Sequence, residues 1–117
     1  MVHGYVIILS AGDKVFIVTR RHFEGDTRRH FVGEVAACTE NSVRVTGHAY
    51  IANGKNGFDR KPEERTRIFS LTDGRIIVNI LPAEVELQNV EYVRILNRLH
   101  LSDGKDFVYD VDEFRSE

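Results

Sequence analysis

The chain has one cysteine, no tryptophan, one methionine and two prolines in 117 residues. A lone Cys38 excludes an intrachain disulfide. Set among Ala36, Ala37 and Thr39, it reads as a small apolar packing residue. The five histidines are scattered, with no Cys-x-x-Cys or His-Glu-x-x-His spacing, so no zinc pattern is present. Neither a phosphate-cradling GxxxxGK[ST] nor a GxGxxG loop occurs, and no serine sits in a nucleophile context. The sequence thus carries no positive sign of an enzyme and calls for no cofactor. No apolar run approaches membrane-spanning length. No Lys or Arg precedes the short run Val6–Leu9, as a secretory leader would require. The expectation is a cytoplasmic chain with no membrane partner.

What is present suits one folded domain over residues 1–117. Hydrophobic residues make up 42% and charged residues 29%, enough for a core and too apolar for a disordered chain. The net charge of −2 is unevenly spread. Residues 1–60 hold 8 Lys/Arg against 6 Asp/Glu, and residues 61–117 hold 8 against 12. From Leu101 onward, Asp103, Asp106, Asp110, Asp112, Glu113 and Glu117 face only Lys105 and Arg115.

The basic excess is concentrated in an eight-residue unit written twice, TRRHFEGD over Thr19–Asp26 and TRRHFVGE over Thr27–Glu34. The period is too short for a solenoid repeat. Lys14–Phe23 and Arg28–Thr39 have strand character, and Glu24-Gly25-Asp26 has turn character, so a β-hairpin is expected. In one register Arg20 lies opposite His30 and His22 opposite Arg28; in the register one residue away, His22 faces Arg29 and Arg21 faces His30. Either gathers cations on a small surface, where like charges repel unless acids, a bound anion or solvent relieve them. Phe23 and Phe31 are candidates for stacking on a base, or for the core.

The remaining chain reads as strands separated by turns. Val2–Ser10 is expected to form the first strand. Val43–Ala52 alternates around Gly47, and Gly33 also falls inside a strand, both suggesting bends. Asn53–Glu64 reads as an exposed loop with Phe58 tacking it down or facing a partner. Arg65–Leu71 and Arg75–Leu81 flank Thr72-Asp73-Gly74 and suggest a hairpin. Glu86–His100 fits either a short helix or strands, with strands favoured, and Asp106–Val111 suits a last strand. The whole predicts an all-β fold: a small, strongly bent antiparallel β-barrel of about five to eight strands.

Phe31, Gly33, Val35, a polar turn, then Val43 and Val45 resemble the first motif of Sm-like barrels, and the polar loop after Ala52 resembles that family's variable loop. The resemblance implies a bent five-stranded barrel that assembles into rings on single-stranded RNA. Thr39 stands where the family has an acid, and no Arg-Gly follows the apolar residues of Arg75–Leu81. The small barrel and a homo-oligomer are therefore the expectations taken from it, and the RNA site is not.

Two functions follow. In the first, Arg20, Arg21, His22, Arg28, Arg29 and His30 grip an anionic partner, RNA or a phosphorylated ligand. Arginine suits this because its planar guanidinium binds phosphate in a bidentate way. In the second, the chain is a structural or protein-interaction domain. The repeat then pairs with the chain's own acidic C-terminal region, within one molecule or across an oligomer. A barrel enzyme with a pocket lined by His48 and Tyr50 rests on fold analogy alone.

Overall fold

The computed structural model describes residues 8–54 and 57–117. Most of the strand expected at Val2–Ser10 lies outside the described residues, and residues 8–10 of it are not strand. Nine strands are described: β1 (Lys14–Thr19), β2 (Arg29–Cys38), β3 (Ser42–Ala52), β4 (Phe58–Arg60), β5 (Arg65–Ser70), β6 (Ile76–Leu81), β7 (Glu91–Ile95), β8 (Arg98–Ser102) and β9 (Val108–Asp110). Two single 3-10 turns, Leu87–Asn89 and Asp112–Phe114, are the helical elements among them. The all-β expectation holds, with more strands than expected. The ambiguous stretch 86–100 resolves into a 3-10 turn followed by β7 and β8. No helix among the described residues is long and apolar enough to cross a membrane.

All strand pairs are antiparallel. One sheet runs β4-β3-β2-β1-β6, with β5 beside β4 on the outer edge of β3, and a second runs β7-β8-β9. The expected hairpin of Arg65–Leu71 with Arg75–Leu81 does not form. β5 pairs with β3 and β6 pairs with β1, on opposite sides of the sheet. Thr72-Asp73-Gly74 does reverse the chain, with Ile76 N donating to Asp73 O at 3.1 Å. Turn chemistry determines the reversal and says nothing about which strand each arm will join.

That connection shows that the sheet curls. In a flat sheet β5 and β6 would sit four strand spacings, about 19 Å, apart. Six peptide steps from Ser70 to Ile76 reach about 20 Å only when fully extended, and here they contain a turn. The two edges must approach each other. They contribute to one core: Phe69 of β5 and Ile76 and Val78 of β6 pack with Val15, Ile17, Phe31, Val35, Val43 and Val45. The sheet is curled and not closed, since no ladder joins β5 to β6 among the described residues.

Strand alternation sends the other face of the same sheet to a second core. Phe16, Val18, Val32, Tyr50 and Leu81 pack there against Leu99, Leu101, Val111 and Phe114 of the C-terminal unit. This explains the run Val15–Val18, every residue of which is buried. Two cores flank β1, and each fully buried Val, Ile or Phe contributes roughly 1.5–3 kcal/mol.

The two mid-strand glycines face each other, Gly33 paired with Gly47. A Cβ on Gly33 would lie 2.3 Å from Thr46 O, and one on Gly47 2.0 Å from Val32 O. Neither position has room for any side chain, as the bend expected from the sequence requires. A β-bulge between Val35 and Ala37 then shifts the parity of β2, so Cys38 joins the inner core beside Val43.

Candidate functional site

The repeat is split between a loop and a strand. β1 stops at Thr19 and β2 starts at Arg29, leaving residues 20–28 as a connecting loop. Arg20 N donates to Arg75 O at 2.7 Å, and Asp26 closes the tip by accepting from Phe23 N at 2.9 Å through Oδ2. Neither expected register is observed. Val18 lies opposite His30 and Thr19 opposite Arg29. The turn forms over Phe23–Asp26, with Asp26 N donating to Phe23 O at 3.0 Å, but it sits at the tip of a wider loop because β1 ends at Thr19 and β2 begins only at Arg29.

The loop arginines receive the end of the described chain. Arg28 Nη1 donates to the carbonyl oxygen of Arg115. Arg21 Nη2 donates to Ser116 O at 3.0 Å, while its Nη1 donates to the carbonyl of Glu24 within the loop. Arg20 Nε meets Glu117 Oε2 at 2.8 Å. Just before these three residues, Phe114 is buried and sits edge-on to Phe16, ring centroids 6.0 Å apart. The segment is thus anchored by an aromatic side chain at one end and held by guanidiniums along the rest. Two of the three arginine contacts are to carbonyl oxygens, so they do not depend on acidic side chains.

His30 goes elsewhere. Strand alternation turns it into the outer core, where it is 2% exposed. It stacks on Phe58 at 4.1 Å and meets Phe16 edge-on at 5.2 Å. Its Nδ1 lies 2.5 Å from the Tyr92 hydroxyl. Its Nε2 is buried with no hydrogen-bond partner among the described residues. Burial pushes the imidazole down to about 4, opposed by Phe114 and reinforced by the Arg28 charge. At neutral pH the ring is uncharged and inaccessible to a surface ligand. His22 is exposed and edge-on to Phe23, whose ring is 67% exposed. Phe31 belongs to the inner core and packs on Phe69 at 5.4 Å. Arg29 shares that inner face and takes no part in holding the tail.

Of the six expected residues the fold therefore brings Arg20, Arg21, His22 and Arg28 onto one loop, starts β2 at Arg29, which still borders an opening with Arg20, Arg21 and His22, and sends His30 into the core. Sequence reading missed Arg75, which borders the loop beside Arg20, Arg21 and His22. Asp73 holds it, with Arg75 Nη2 to Asp73 Oδ2 at 3.0 Å. That pair was legible as an acid two residues before an arginine across a turn. The acids Asp110 and Asp112 are engaged by Arg98, with Nε to Asp110 Oδ2 at 2.7 Å, and Asp112 Oδ1 accepts from Leu99 N at 2.9 Å. No cluster of three metal-ligating side chains occurs among the described residues. Tyr50 is buried with its hydroxyl donating to Val90 O at 2.6 Å, while His48 borders a separate cleft beside Gly33 and Leu87. The two do not line one pocket. An apolar cleft of about 490 Å³ between Leu81, Val85 and Phe107 carries none of the repeat. No family model, curated protein or solved structure matches this chain.

Proposed function

We propose that this chain is a non-enzymatic interaction module in which the arginine repeat clamps the chain's own C-terminal segment. One observation carries the reading: Arg115, Ser116 and Glu117 are each received by a different arginine of the loop, Arg28, Arg21 and Arg20. Charge-assisted hydrogen bonds are the stronger kind, and here two to carbonyl oxygens and one to a carboxylate align three successive residues. The contacts lie within one chain, and the same segment exchanged between two copies would give a homo-oligomer with identical chemistry. On the fold, the proposal is the small bent barrel that the Sm-like resemblance implies, here left open between β5 and β6. The inner core shared by both edge strands supports it.

The test is removal of residues 115–117, compared with the triple change Arg20→Ala, Arg21→Ala, Arg28→Ala. Both should lower the melting temperature by similar amounts, and the two together should cost little more than either alone, because they remove the same contacts. Sedimentation before and after shows whether the segment acts within a monomer or between copies. Fully additive losses, or no loss from the truncation, would sink the clamp.

The anionic partner expected of the repeat, RNA or a phosphorylated ligand, is the second reading. It then falls to Arg29, the arginine of the four that the tail does not engage among the described residues.

A further inference from the structure

The inner face of the curled sheet opens where β2 and β5 begin and β3 ends. Alternation places Arg29, ahead of Phe31, on this face of β2, and Arg65 and Arg67, ahead of Phe69, on the same face of β5. Lys61 is brought beside them by its backbone N–H, which donates to Ala49 O at 2.8 Å. The four cations ring a cavity of about 90 Å³ whose floor is Ala49 and Ile51. One carboxylate borders it, Glu63, with Oε2 3.3 Å from Arg65 Nη2. Among the described residues no carboxylate lies within ion-pair distance of Arg29, Lys61 or Arg67.

This arrangement differs from the loop. There, backbone carbonyls and Glu117 answer the arginines. Here, the one bordering carboxylate, Glu63, is paired with Arg65, and Arg29, Lys61 and Arg67 share the rim without an ion pair among the described residues, where like charges repel. The cavity has room for one tetrahedral oxyanion. Arg29 also borders a second opening of about 240 Å³, whose rim includes Arg20, Arg21, His22 and Arg75. Guanidiniums offer the forked donors that phosphate oxygens accept, and Lys61 adds a point charge.

We infer that this mouth binds one phosphoryl group of a phosphate-bearing ligand, with Arg29, Lys61 and Arg67 as its donors. The rest of the ligand extends past Arg29 into the second opening. The site goes beyond the tail clamp and needs none of its contacts.

Inorganic pyrophosphate and a short single-stranded RNA, each titrated into the full chain, test this. Pyrophosphate should bind more weakly as sodium chloride is raised. It should shift the methyl resonances of Ala49 and Ile51. The double change Arg29→Ala, Arg67→Ala should weaken binding about a hundredfold, since each charged hydrogen bond lost is worth about tenfold or more. Arg44→Ala, on the opposite face of β3, should leave it unchanged. RNA binding with the same loss in the double variant, but no pyrophosphate binding, would assign the phosphoryl group to a nucleic-acid backbone. Binding of neither probe, or binding undiminished in the double variant, would overturn the inference. Should the double variant fail to fold, the unsubstituted protein decides: no shift at Ala49 and Ile51 under saturating pyrophosphate also overturns it.

Discussion

The Nδ1 of His30 lies 2.5 Å from the hydroxyl of Tyr92 and joins β2 of the first sheet to β7 of the second. Around this pair Phe16, Tyr50 and Phe58 close an aromatic cluster. A residue that looks, in the sequence, like one half of a basic surface is a seam between the two sheets.

The seam makes stability depend on pH. His30 titrates near 4 in the folded chain and near 6.5 when unfolded. Between these values the unfolded state binds a proton that the folded state refuses, so stability falls as the pH drops from 6.5 to 4. The loss should be on the order of 3 kcal/mol, levelling off below pH 4. His30→Phe keeps the stack and removes the proton, so its urea midpoint should be flatter across that range. An unchanged slope would show that another group is responsible.

Removing the Tyr92 hydroxyl tests the hydrogen bond itself. Tyr92→Phe leaves both His30 ring nitrogens without a partner in a dry site and should cost about 1–3 kcal/mol. Tyr50→Phe should cost a similar amount by leaving Val90 O unpaired. Burial has already pushed the Tyr50 phenol up to about 12, so it stays a donor at every ordinary pH. Chemical denaturation of the two variants checks both values; a cost near zero would place water at the sites.

The paired glycines carry a steric prediction. Gly33→Ala and Gly47→Ala each drive a methyl into backbone oxygen and should destabilise by about 1–3 kcal/mol or more. Gly25→Ala, where a Cβ meets nothing, should stay within about 0.5 kcal/mol. Equal effects at the three positions would mean that the strands move apart without resistance.

The ionic part of the clamp should be weak. Arg20 and Glu117 are both partly exposed, at 52% and 32%. A double-mutant cycle between them should give under about 1 kcal/mol, shrinking with salt. The contribution of Arg28, which reaches a carbonyl, should survive high salt better. The same salt sensitivity for both residues would argue against that division.

Much of the fold was legible along the chain. The alternation of Val43–Ala52, the apolar run Val15–Val18 and the glycines at 33 and 47 foretell strands, a doubly covered strand and a bend, because each is a local pattern of side-chain faces or of missing Cβ atoms. The partners of the strands were not legible. Thr72-Asp73-Gly74 turns the chain as its residues require, yet the arms part to opposite edges of a sheet whose order is decided by where Phe69, Ile76 and Val78 find a shared core.

The repeat shows the same division most clearly. The sequence by itself determined that four arginines and two histidines would fall within sixteen residues, from Thr19 to Glu34, on either side of a turn. Only the tertiary structure decided their fates: three arginines on the tail, Arg29 at the mouth of the curled sheet, His22 in solvent and His30 in the core. Octads that share Thr-Arg-Arg-His-Phe acquire different roles because β1 ends before Arg20 while β2 begins at Arg29. One copy is loop, free to reach across the surface. In the other, the two-residue alternation of a strand sends Arg29 and His30 to opposite faces.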